Sequence, residues 1–273
     1  MRPVALAWEQ FRFERKLFWR NPSAAFFNFL LPLLLLVLIA TAFASESDEL
    51  EVLIPGVAGM GVLATTFTAL AFNLTLLRDE GVLKRIRGTP MPAGAYLAGF
   101  IGSATLNAVL QVGLVVMIGN LLYGVDWPHD PLLLLGFTLL GVVCFASLGV
   151  AFSHVIPNED AAPAYTNAVF LPLIFISGVF YSTDDLPPTL KAIAEALPLK
   201  HLIDGLSAAI VGGGGDTATA AIVVAAWPRV AYFWRCASSA GSETTCNEGV
   251  GVPLQVQRVA VAAQPLLVLA PVR

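Results

Sequence analysis

Long, nearly uncharged apolar runs alternate with short polar stretches along most of this chain. Five runs reach the roughly 20 residues that a helix needs to cross a bilayer core about 30 Å thick. They cover residues 24–44, 53–77, 93–123, 131–156 and 161–181, and a sixth candidate covers 217–234. The two-residue alternation of an outer-membrane barrel is absent, so helices are the expected way across. Ahead of the first run, residues 3–20 have a helical period with apolar residues on two sides. Val4, Trp8, Phe11 and Phe18 share one face, Leu6, Phe13 and Leu17 the opposite one, and Glu9, Arg12, Lys16 and Arg20 lie between. Such a pattern suits a helix at the membrane interface, with lipid on one side and protein on the other. The 23 residues that precede the first run, together with the lack of a small-residue cleavage site, argue against a cleaved signal peptide.

Between Ser182 and Asp216 the pattern changes. Amphipathic stretches at 189–197 and 199–211, separated by Pro198 and followed by four glycines, predict two short helices at the outer face, neither long enough to span. Inside the spans, Thr65, Thr66, Thr68, Asn73 and Thr75 and then Asn107, Gln111 and Asn120 are expected to face other helices, where polar groups find partners. No Asp, Glu, Lys or Arg occupies the middle of the first five spans. That argues against an ion-coupled secondary transporter, whose coupling elements are buried ionisable groups.

Composition supports the same reading. With 57% hydrophobic and 12% charged residues, the chain has too little charge to cover a soluble globule of 273 residues, so lipid is its solvent. The net charge of −4 hides the asymmetry that sets orientation. Five basic residues precede the first span and four lie in 78–92, whereas the loops 45–52 and 124–130 hold no Lys or Arg and the first of them carries four acids. The bias predicts a cytoplasmic N-terminus and a cytoplasmic 78–92 loop. Cys144, Cys236 and Cys246 have neither metal-binding spacing nor a disulfide framework. No G-x-x-x-x-G-K-[ST] phosphate loop is present, so the chain is read as having no nucleotide site, cofactor or metal of its own.

Two segments carry a resemblance. Residues 170–181 read Phe-Leu-Pro-Leu-Ile-Phe-Ile-Ser-Gly-Val-Phe-Tyr, followed by Leu186-Pro187 and by Ile193 to Asp204 with Pro198 and His201. Residues 78–92 read Arg-Asp-Glu-Gly-Val-Leu-Lys-Arg-Ile-Arg-Gly-Thr-Pro-Met-Pro. Both stretches resemble the permease subunit of type-2 ABC exporters, over residues 1 to about 227. The resemblance implies an all-α, six-span helical permease bundle with an N-terminal amphipathic interfacial helix (1–22), a transmembrane domain (23–227) and short extracellular helices before span 6. It implies a bacterial inner-membrane, multi-pass protein that is not itself an enzyme. The implied partners are a separate ABC ATPase that binds ATP and magnesium, a second permease copy, lipid and a small-molecule cargo, but no nucleic acid. The cargo class is hydrophobic or amphipathic, as in drug or antibiotic efflux. A non-transporting membrane scaffold or regulatory subunit, or an ion-coupled secondary transporter, is the alternative.

The matching positions Ser177, Gly178, Phe180, Leu186, Pro187, Pro198, His201 and Asp204 form the family motif, and Glu80, Leu83, Lys84, Arg85, Gly88 and Thr89 are the ATPase-coupling residues that the resemblance implies. In the coupling segment, Asp79 and Glu80 suit a helix N-terminus and Lys84, Arg85 and Arg87 its end. The resemblance fails after Trp227. Pro228-Arg229 is expected to interrupt the sixth span, and residues 228–273 are an atypical tail. Arg235 to Ser242 can be encoded so that the frame one base upstream reads Ala-Leu-Arg-Phe-Phe-Arg-Trp-Glu, the expected end of such a permease. A frameshifted read-through and a genuine divergent tail are the two readings.

Overall fold

The computed structural model describes residues 3–43, 47–81, 93–181, 187–212 and 216–238, and every regular element among them is a helix. In chain order these are α1 (Pro3–Arg20), α2 (22–43), α3 (47–79), α4 (Ala93–Tyr123), α5 (Pro131–Ser153), α6 (Ala162–Ile176), α7 (Pro188–Ala196), α8 (Pro198–Ile210) and α9 (Thr217–Ser238). Both α2 and α3 contain a wider π-helical turn, at Phe26–Leu30 and Ala64–Thr68. Glu49–Asp79, Ala98–Tyr123 and Pro131–Ser153 are long and apolar enough to cross a membrane, and Phe26–Ala42, Ala162–Ile176 and Thr217–Ala231 are shorter apolar helices.

Local chemistry accounts for several boundaries. Asp130 accepts hydrogen bonds from the Leu132 and Leu133 amides, each at 3.0 Å, and Pro131 occupies the first helical position of α5. Asp216 accepts from the Thr219 amide at 3.2 Å and so caps α9. Gly81 and Gly124, at φ +67° and +69°, take the left-handed conformation that ends α3 and α4.

Two expectations change. The acidic loop 45–52 is shorter than predicted, because α3 already begins at Ser47; Glu49 and Glu51 then lie in its first turns, where the helix dipole favours carboxylates. Pro228 does not interrupt the last helix, which continues to Ser238. In a bilayer an open backbone costs more than the one hydrogen bond that proline removes, so a helix carries proline there more readily than in water. The structure adds to the expectation for α8, a helix too short to span. Its Leu199, Leu202 and Leu206 are fully buried, and it is wedged between α3 and α5. Ile203 and Leu199 lie over Gly59, Leu202 over Gly141, and Phe137 over Gly205. These contacts fall about ten residues inside α3 and α5, so α8 enters the bundle from its end.

Glycine also sets the fit of α1. This helix runs along the start of α4, where a Cβ on Gly99 would lie 2.7 Å from the Cβ of Gln10 and one on Gly102 would lie 3.3 Å from the Phe11 ring. The side turned to protein therefore carries buried Gln10 and Glu14, with Phe11 of one apolar face at its edge. Trp8 and Trp19 stay 60% exposed.

Most span polar groups turn inward on their own helix. Thr65, Thr66 and Thr75 donate to the carbonyls of Gly61, Val62 and Ala71, and the Asn73 amide donates to Ala69. The residues of α4 reach further: Asn107 accepts from Arg15, and Asn120 donates to the Val125 carbonyl at 2.8 Å. Gln111 is fully buried with neither amide atom hydrogen-bonded. It faces Gly61, where a Cβ would stand 2.7 Å from its Cγ.

Candidate functional site

The two sequence motifs lie at opposite ends of α3. At its first end, Ser177 closes α6 and Gly178 follows at φ +73°, a turn that a side chain would strain. The turn delivers the Val179 carbonyl onto α3, where a Cβ on Gly56 would lie 1.9 Å away. One helical turn further, Gly59 receives Leu199 and Ile203. The Ser177–Phe180 turn and α8 are thereby joined across one glycine face. Phe180 packs on Phe175 with ring centroids 6.0 Å apart. Pro187 precedes α7 and Pro198 starts α8. His201 Nε2 lies 2.8 Å from the Glu195 carbonyl, and Asp204 pairs with Lys200 at 2.6 Å. A cavity of about 450 Å³ opens beside this pair, lined by Lys200, His201, Asp204, Ser207, Asp216 and Thr219.

The other end of α3 carries the start of the 78–92 segment. Glu80 caps α3 and is exposed. Leu83, Lys84, Arg85, Gly88 and Thr89 lie outside the described residues, as does Leu186. Asp79 and Glu80 end a helix here: their amides belong to the last turn of α3, and Gly81 stops it, while the helix expected after them lies outside the described residues. A carboxylate is poorly placed at a helix C-terminus. Asp79 is held there by its neighbours, accepting from the Glu159 amide at 2.6 Å and from Arg78 Nε at 3.3 Å.

Arg78 is the residue that the sequence pattern leaves unassigned. Its guanidinium donates to the carbonyls of Ser153 at 3.1 Å, Ile156 at 2.6 Å and Pro157 at 3.0 Å. These belong to the unsatisfied C-terminal end of α5 and the turn after it, where a cation also suits the dipole. Beneath the clamp, Ala71, Ile156 and Ala162 form a small apolar cluster with Phe152, whose ring lies 5.5 Å from that of Phe67. Arg78 and Asp79 thus fasten α3 to the 154–161 turn that joins α5 to α6. A basic residue alone at a span end reads as an orientation signal, and partners some 75 positions away leave no local trace.

A second interfacial feature lies on α1. The Glu14 carboxyl is buried with Oε1 lacking a hydrogen-bond partner, and burial pushes it up to about 8. The neighbouring Arg15 turns to Asn107 and lies over the Phe18 and Trp19 rings at 5.4 and 5.8 Å.

The family model for ABC-2 type transporters matches residues 5–211. The chain is 30% identical over 186 residues to the daunorubicin resistance ABC transporter permease protein of Streptomyces coeruleorubidus, covering 63% of each chain. It is 26% identical over 164 residues to the linearmycin resistance permease protein of Bacillus subtilis, covering 59% of this chain and 42% of the relative. Nodulation protein J of Neorhizobium galegae is 26% identical over 156 residues, 57% of this chain and 59% of the relative. The chain thus spans less than two thirds of the length of these curated relatives.

Proposed function

Because the chain belongs to the ABC-2 type transporter family, we propose that it is the transmembrane subunit of an ATP-driven exporter in the bacterial inner membrane. Its six spans are the three long apolar helices and the three shorter ones, with the N-terminus and the 78–92 segment on the cytoplasmic side. It pairs with a second permease copy. A separate ABC ATPase binds the ATP and magnesium and docks on Glu80, Leu83, Lys84, Arg85, Gly88 and Thr89, with α1 as the second docking element. The cargo is a hydrophobic or amphipathic small molecule, a reading supported by two relatives named for resistance to daunorubicin and linearmycin.

The observation that carries this reading is the family match over residues 5–211. Pull-down of the tagged chain from its native membrane in mild detergent tests it. A nucleotide-binding subunit is expected in stoichiometric amount, and it is expected to be lost when Glu80 and Arg85 are both replaced by alanine. Recovery of the chain alone would favour the scaffold reading.

A further inference from the structure

We propose that Arg78 is the positioning residue that passes the ATPase's motion to α5 and α6, an inference that rests on the exporter reading above. A load applied just beyond Gly81 reaches α3 directly, but α5 and α6 are separate helices joined by the 154–161 turn. Two kinds of contact connect them to α3 at this end. One is apolar packing, the cluster of Ala71, Phe152, Ile156 and Ala162 together with Leu70 and Leu74 on Ala146 and Val150, which resists separation but carries no directional bond. The other is directional. Three charge-assisted hydrogen bonds from one planar guanidinium fix the angle of α3 against the carbonyls of Ser153, Ile156 and Pro157. The Glu159 amide adds a fourth hydrogen bond, donated to the Asp79 carboxylate. The 153–159 backbone therefore cannot slide along α3 while these bonds hold. The ends of α3, α5 and α6 form one mechanical unit, and rotation of α3 carries the start of α6 with it.

Hydrogen exchange on the intact chain and on its complex with the co-purifying ATPase tests the clamp and the transmission separately. In the chain alone, Arg78→Gln is expected to speed amide exchange in 153–161 at least about tenfold, the factor that loss of even one of the three charged hydrogen bonds implies. Arg78→Lys, which keeps the charge and three donors, is expected to fall between the two. In the complex, trapping with ATP, magnesium and vanadate is expected to change exchange across 162–176 in the wild type. Arg78→Gln is expected to abolish most of that change while ATP hydrolysis stays within about twofold, since the substitution leaves the partner's own site intact. Unaltered exchange in 153–161 would overturn the clamp. A wild-type response of 162–176 in Arg78→Gln would overturn the transmission. A wild-type chain that holds no ATPase would overturn the exporter reading and the transmission with it, while the exchange of 153–161 would still decide whether Arg78 fastens the turn.

Discussion

Glu14 shows how a single side chain can set the pH range in which α1 stays docked. The residue is 8% exposed, and burial raises its carboxyl from the ordinary 4.5 to about 8. An undocked α1 ionises near the ordinary value and a docked one only near the raised value, so docking is undisturbed below about 4.5 and loses strength as pH rises toward 8. Each unit in that window costs about 1.4 kcal/mol. Glu14→Gln removes the penalty. The variant is expected to match the wild type in limited proteolysis of α1 at pH 4.5 and to become the more resistant of the two as pH approaches 8. Equal cleavage across the whole window would show that Glu14 is hydrated when docked.

Among the helices, small residues decide which elements meet. Gly56→Leu is expected to drive the Ser177–Phe180 turn off α3, because a Cβ alone would stand 1.9 Å from the Val179 carbonyl. Overpacking of this kind costs about 1–3 kcal/mol, more where backbone must move. A thermal-shift assay in detergent is expected to show a lowered Tm with membrane insertion retained; an unchanged Tm would mean the turn is free to move. The long apolar helices were legible in the sequence because hydropathy is a local, summed property, and Ala98–Tyr123 and Pro131–Ser153 fall within predicted runs. The depth of α8 was not legible, since its amphipathic pattern is the same whether the apolar side rests on the bundle or enters it. The start of α3 was hidden by acids that read equally as loop and as helix N-terminus. Arg78 was visible as a charge, but its acceptors are backbone carbonyls, which no residue type announces.

At the scale of the whole molecule, Glu80 and the Gly56 face that receives the Ser177–Phe180 turn lie toward the two ends of α3, about 35 Å apart at 1.5 Å per residue. The proposed orientation places Trp127, in the loop before α5, and Asn158, in the turn after it, on opposite sides of the membrane. In a background lacking Cys236 and Cys246, Trp127→Cys is expected to react with an impermeant maleimide on intact cells and Asn158→Cys only after permeabilisation. The reverse pattern would invert the topology. The π turn at Ala64–Thr68 lies between the two ends. A wider turn of this kind holds one residue more than an α-turn, and each residue of a helix advances it by roughly 100°. Everything after Thr68 is therefore out of phase with everything before Ala64. Gly56 faces the motif and Arg78 faces the 153–157 carbonyls only because that quarter-turn offset is present. The direction in which Arg78 points is thus fixed by a residue count, and a one-residue deletion within 64–68 would swing it off its acceptors as surely as replacing it.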